Sequence, residues 1–161
     1  MDGGNGTKPS RLAGARVLWN GEPVPLLFAS PGQINAQMPF SVRPGEMGRL
    51  SVSVAGRQSI EVLLDGKTAT PAVVAVTARR GVMSIYCFGL GAVDPPVRAG
   101  ELAPSDPVSR TVRIPVVLLN GESARVLYSG LAPGWAGLYQ VDVEDRSAPG
   151  PSLSIVIQMP E

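Results

Sequence analysis

The sequence predicts an all-β fold of two tandem, related sandwich-like units with little or no helix, and three observations carry that expectation. Short runs rich in β-branched residues recur between Gly, Pro and Asn, and apolar and polar positions alternate most clearly in Leu50-Ser51-Val52-Ser53-Val54 and Thr111-Val112-Arg113-Ile114. No apolar stripe persists at helical spacing for three turns, and proline interrupts most windows long enough to hold a helix. The third observation is an internal repeat that relates the two halves of the chain.

The elements follow in order. Asn20-Gly21, Asp65-Gly66 and Asn120-Gly121 each sit between apolar runs and suit the positive φ angles of a two-residue hairpin turn. Strands are expected at Ala15–Trp19, Pro25–Ala29, Ile34–Met38, Leu50–Val54, Ile60–Leu64 and Ala72–Thr77 in the first half. In the second half they are expected at Val82–Phe88, Val112–Leu119, Arg125–Ser129, Leu138–Val143 and Leu153–Gln158. The expected organisation is a flexible leader over 1–11, a first unit over 12–78 and a second over 79–161.

The repeat is specific. Val17-Leu18-Trp19-Asn20-Gly21-Glu22 matches Val117-Leu118-Leu119-Asn120-Gly121-Glu122, and Leu27-Phe28-Ala29 meets Leu127-Tyr128-Ser129 at the same offset. After a short insertion Pro31-Gly32 meets Pro133-Gly134, and Gln33-Ile34-Asn35-Ala36-Gln37 meets Gln140-Val141-Asp142-Val143-Glu144. Pro44-Gly45 and Leu50–Val54 then meet Pro149-Gly150 and Leu153–Ile157. Ahead of its Asn-Gly turn the second copy has Val82–Phe88 and a long connection, whereas the first has only the polar leader, so the first unit is expected to lack an opening strand.

Composition narrows the function. With 161 residues, 44% hydrophobic and 17% charged, and with Gly 19 and Pro 16, the chain reads as globular and rich in turns. Lys+Arg 14 against Asp+Glu 13 provides no field to gather nucleic acid or an anionic membrane, and 5% aromatic residues is too few for a base-stacking surface. Apolar runs such as Pro71–Ala78 and Ile114–Leu119 fall far short of the ~20 residues that span a bilayer, so no membrane insertion is expected. The start, Met1 to Ser10, is polar and lacks the apolar segment of a secretory signal.

Several long stretches resemble a known family. They are Asn20-Gly21 with Pro25 through Pro39, Gly89-Leu90-Gly91-Ala92-Val93-Asp94-Pro95-Pro96-Val97, and Tyr128 through Val143. They resemble the Solibacter-type uncharacterised C-terminal domain family, tandem immunoglobulin-like units related to the IPT/TIG class, over nearly everything from Leu12 to Ile157. The resemblance implies an extracellular or cell-surface setting in secreted bacterial proteins, with no established activity and no functional residues to carry over. The chain departs from that pattern before Leu12, where the usual strand ending in a Gly-rich turn is missing, and in the short stretch Lys67–Gly81.

The chain carries few residues suited to catalysis. The absence of histidine removes Ser-His-Asp and Cys-His arrangements and His-bearing zinc sites, and no phosphate-binding or dinucleotide fingerprint occurs, so no cofactor and no catalytic residue are expected. Cys87, the single cysteine, lies in an apolar run with no basic neighbour and reads as a buried small hydrophobe. Glu22 and Glu122 follow the repeated turns, a pairing better explained by hairpin solvation than by two-carboxylate glycoside hydrolysis. Asp142, Glu144 and Asp145 are the densest acidic group, but no Asp/Asn-rich glycine loop completes a calcium shell, so a solvated strand edge is expected and no metal. Arg79-Arg80 before Gly81 reads as a solvated turn between units.

Trp135 and Tyr139 flank Gly137 and form the one candidate ligand-binding pair, able to stack on a sugar or anchor a partner. The competing expectation is that one or both plug the core. The function expected is a non-catalytic structural or adhesive extracellular module, with a protein or an extracellular glycan as partner and homo-oligomerisation by strand complementation. A carbohydrate-binding module is the alternative, and a calcium-dependent adhesion domain a third class.

Overall fold

β-branched runs bounded by turn residues become strands wherever a neighbour can take up their backbone hydrogen bonds. In the computed structural model, residues 6–67, 69–145 and 153–160 are described, and among them the chain is all-β with no helix. It divides into two compact units: one holds residues 6–67 with Val97–Leu102 and Gly134–Gly137, the other Ala69–Pro96, Ala103–Pro133 and the described chain beyond Leu138.

In the first unit the strands are β1 (Ala15–Trp19), β2 (Glu22–Val24), β3 (Leu26–Ser30), β4 (Gln33–Ala36), β5 (Met47–Val54), β6 (Arg57–Gln58) and β7 (Val62–Asp65). Asn20 and Gly21, at φ 52 and 86, turn β1 back onto β2, as the dipeptide predicts. The other side of β1 pairs antiparallel with β5, Trp19 facing Leu50, and β5 is long enough to pair with β6 at one end and β7 at the other. Strand alternation buries Ala15, Val17 and Trp19 on one face. Val17, Trp19, Val24 and Leu26 form the core, with Leu12, Ile34, Ala36, Val42, Leu50 and Val52 against them, so the β3–β4 hairpin closes over the β1–β5 sheet. Gly48 makes this possible: a Cβ there would meet the Trp19 ring at 1.8 Å.

Asp65-Gly66 does not form the hairpin expected of it. Asp65 ends β7, and Gly66 tucks against the 43–46 loop, donating to Glu46 O at 2.8 Å and accepting from Gly45 N at 3.0 Å. The glycine is required there because a Cβ would meet Arg43 O at 2.4 Å. Tight turns form instead at Ala55-Gly56 (φ 49 and 82) and Arg80-Gly81 (φ 53 and 76), where the first residue is neither Asn nor Asp. Of the expected leader, residues 1–5 lie outside the described residues, while the rest is tied down: Lys8 N donates to Gly100 O (2.7 Å) and Pro9 O accepts from Leu26 N (2.8 Å).

The second unit holds β8 (Ala72–Arg79), β9 (Val82–Phe88), β10 (Val93–Asp94), β11 (Arg110–Thr111), β12 (Val116–Leu119), β13 (Glu122–Ala124), β14 (Val126–Leu131), β15 (Tyr139–Glu144) and β16 (Ile155–Gln158). One sheet runs β10-β11-β14-β15-β9-β8 and a second runs β13-β12-β16, all antiparallel. Alternation buries Met83, Ile85 and Cys87 on β9, Tyr139, Val141 and Val143 on β15, and Val117 and Leu119 on β12. The unit begins before Ala72 rather than at 79, because β8 spends its whole length pairing with β9. The alternating run from Thr111 to Ile114 is not a strand: β11 stops at Thr111, Val112 and Ile114 are 63% and 66% exposed, and β12 starts only after Pro115. Proline supplies no N–H and restricts the residue before it, so the chain passes from one sheet to the other there.

The repeat is a structural one. In β3–β4, Leu26 faces Ala36, Phe28 faces Asn35, Ala29 faces Ile34 and Ser30 faces Gln33, with a bulge between Leu26 and Phe28. In β14–β15, Val126 faces Val143, Tyr128 faces Asp142, Ser129 faces Val141 and Gly130 faces Gln140, with the bulge in the same place. Both turn asparagines clasp the adjoining strand: Asn20 Oδ1 accepts from Arg49 N (2.8 Å) and Asn120 Oδ1 from Ser154 N (2.9 Å). Pairing makes Ile155, opposite Leu119, the counterpart of Leu50, opposite Trp19. The sequence match of Leu50 to Leu153 is therefore two residues off, a slip that alternation cannot detect because it keeps each side chain on its face. Pro149-Gly150 lies outside the described residues.

Candidate functional site

Trp135 and Tyr139 meet different fates. Tyr139 opens β15 opposite Cys87 and is 3% exposed, its hydroxyl donating to Gly91 O. Burial first, and the neighbouring Cys87 second, push its phenol well above the usual tyrosine range. It is a core residue, so the aromatic pair expected from the sequence is not an open platform. Trp135 is 62% exposed on the loop between β14 and β15. That loop is fixed near its end by Gly137, at φ 68, where a Cβ would meet the Gln37 amide at 2.8 Å; Gln37 Oε1 in turn accepts from Gly100 N at 2.9 Å. An exposed indole on an anchored loop loses little entropy when it stacks on a ligand.

The titratable groups are engaged or exposed. Cys87 is fully buried, and burial pushes its thiol up to about 12, so it is neither nucleophile nor ready metal ligand. Asp142 accepts from Gln140 Nε2 with both oxygens (2.9 and 3.0 Å), and Glu144 pairs with Arg125 at 3.0 Å. Among the described residues no group of three or more His, Cys, Asp or Glu is placed to hold a metal ion. Glu22 and Glu122 are exposed and open β2 and β13 in separate units. Tyr128 donates to Leu131 O at 2.9 Å and lies under the Arg110 guanidinium at 5.0 Å, which makes it a corner brace of the second unit. Arg80 lies in the β8–β9 turn, inside the second unit. A shallow hollow of about 550 Å³ is lined by Ser41, Arg43, Pro44, Gly45 and Glu46, where Glu46 Oε2 already accepts from Arg43 N at 3.2 Å.

What stands out is backbone rather than side chain. β15 is paired on both sides, with β14 and with β9, whereas its counterpart β4 has only β3 as a partner among the described strands. Among the described strands, β8 is the far edge of the second unit's larger sheet, and all eight of its residues are exposed. No protein-family model, curated protein or solved structure matches the chain.

For β4, the repeat leads to the expectation of an unmatched strand edge, and among the described strands β4 pairs with β3 alone. The signal for β8 was the uncharged run from Ala72 to Ala78, which reads equally as a buried strand until its exposure is known. No helix among the described residues is long and apolar enough to cross a membrane.

Proposed function

We propose that the chain is a non-catalytic structural or adhesive module of a secreted or surface-displayed bacterial protein, which joins a larger assembly by taking a strand onto the open edge of β4. The carrying observation is the inequality of the two copies: β15 accepts β9, and β4, matching β15 residue for residue and bulge for bulge against its hairpin partner, has no such neighbour among the described residues. An unpaired edge presents a row of N–H and C=O groups, and strand addition is the direct way to satisfy them. The resemblance to the Solibacter-type domain family, with its tandem immunoglobulin-like units, supports the extracellular setting, and the lack of histidine supports a non-catalytic role.

The unit-two pairing gives the register. Val141 faces Ile85 and Val143 faces Met83, so Ile34 and Ala36, their counterparts and half-buried, would receive apolar residues of an incoming strand. A peptide carrying the β9 sequence Val82–Phe88 is expected to bind the full chain and raise its Tm, by an amount equivalent to about 2.7 kcal/mol at a hundredfold excess over Kd. A scrambled peptide is expected to do neither. Absence of binding and of any Tm shift at about 1 mM peptide, a ceiling of roughly 4 kcal/mol in affinity, would sink the proposal.

Trp135 favours a second reading, a carbohydrate-binding module. Because Trp19 is 7% exposed and Trp135 62%, a glycan stacking on the loop would shift tryptophan emission and protect it from quenching. Loss of that response in Trp135→Ala would support the reading, and an unchanged affinity would remove it.

A further inference from the structure

The edge strand β8 points to a second association, independent of the β4 reading. Its residues are exposed on both faces, with Val73, Val74 and Val76 at 43%, 54% and 38%. Val73, Val76 and Ala78 pair with Cys87, Ile85 and Met83, all buried, so they lie on the inward face of the sheet where the covering layer no longer reaches. Natural edge strands are ordinarily blunted by Lys, Pro, inward charges or bulges. From Ala72 to Ala78 there is no charge, proline or glycine, and the one irregularity, at Val74, leaves Ala75–Arg79 as a regular ladder.

We propose that β8 is a homodimerisation edge: two copies of the chain pair their β8 strands antiparallel about a two-fold axis through Thr77, joining two six-stranded sheets into one. The occupant follows from the charge pattern. The only charge on β8 is Arg79, at one end. Antiparallel self-pairing centred on Thr77 sets Ala75 opposite the partner's Arg79 and Val76 opposite the partner's Ala78. The two guanidinium-bearing positions then lie about 13 Å apart, at four residues of ~3.3 Å each. That exceeds the Debye length of ~8 Å at physiological ionic strength, so their repulsion is largely screened. A parallel arrangement would put the two Arg79 side chains adjacent. On the outer face Thr77 meets its own copy, a favourable cross-strand pair, and on the inner face Val76 and Ala78 continue the apolar strip across the seam. A two-fold contact closes, so each edge is consumed and no fibre grows from it.

Thr77 is exposed and pairs with Ser84, so substituting it leaves the unit's core intact. The wild-type mass is expected to rise with concentration from 16.8 kDa to twice that value. Thr77→Lys, which places two ammonium groups face to face, is expected to weaken association about tenfold or more while leaving Tm unchanged in dilute solution. Thr77→Cys is expected to form a covalent dimer under mild oxidation, and Ala72→Cys, off the axis, far more slowly; Cys87 is buried and contributes little background. A wild type that stays at 16.8 kDa up to about 1 mM overturns the proposal. So does a dimer that Thr77→Lys leaves whole, or equal cross-linking of the two cysteine variants. None of these outcomes bears on binding of the β9 peptide at β4, so the two proposals fail separately.

Discussion

Replacing Gly48 by alanine isolates the contact on which the first unit's core depends. Gly48 has no left-handed φ, so backbone propensity alone says that Gly48→Ala should stabilise the strand by about 0.5–1 kcal/mol. The tertiary contact says the reverse. The new methyl would lie 1.8 Å from Cζ2 and 1.9 Å from Cη2 of Trp19, and carbon atoms need ~3.5 Å, so the ring must retreat by roughly 1.7 Å. Trp19 is 7% exposed and wedged among Val17, Val24 and Leu26, and over-packing of this kind costs about 1–3 kcal/mol, rising to about 3–5 if the indole leaves the core. The net expectation is a loss of about 2 kcal/mol, or roughly 8–16 °C in Tm for a unit of this size. Urea unfolding followed by tryptophan emission reads it directly, and pairing Gly48→Ala with Trp19→Leu should show a coupling of at least about 1 kcal/mol, because the smaller side chain admits the methyl. A Gly48→Ala protein as stable as the wild type, or more so, would refute the reasoning, since the two accounts differ in sign.

Alkaline pH should destabilise the second unit. Burial pushes the Cys87 thiol up from 9.0 to about 12, so above pH 9 the unfolded chain binds fewer protons than the folded one and stability falls, by up to ~1.4 kcal/mol per pH unit. Cys87→Ala should flatten that slope in denaturant titrations at pH 8 to 10.5, and a slope that survives it would assign the effect elsewhere. Tyr139→Phe removes the donor to Gly91 O and should cost about 1–3 kcal/mol by chemical denaturation, whereas Trp135→Ala should stay within about 0.5 kcal/mol of the wild type. Ala55→Asn puts a residue that tolerates the left-handed region at φ 49 and should raise Tm by an amount worth up to ~1 kcal/mol.

Much of the architecture was legible because it rests on short-range rules. Ala15–Trp19 and Val82–Phe88 are strands with the bounds their patterns imply, and both Asn-Gly dipeptides make the turns their φ preferences favour. Turn chemistry misled where a tertiary contact took over. Gly66 is a glycine for lack of room beside Arg43 rather than for its φ, and Arg80 is held at positive φ by the ladder on either side of it. The candidate pair was half legible. Trp135 and Tyr139 are similar in type and close in sequence, and only the position of Tyr139 inside β15, facing Cys87, makes one core and leaves the other in solvent.

By itself, then, the sequence determined the all-β class and the duplication, since period-two alternation, turn propensity and internal similarity are all properties of the chain read in order. Tertiary structure alone decided which unit owns Ala72–Arg79, how Leu50 and Ile155 correspond, and whether an apolar strand is core or edge. The physical reason is common to all three. Strand pairing is made between residues far apart in the chain, and neither a shift of two residues nor the presence of a covering layer changes the alternation that sequence reasoning reads.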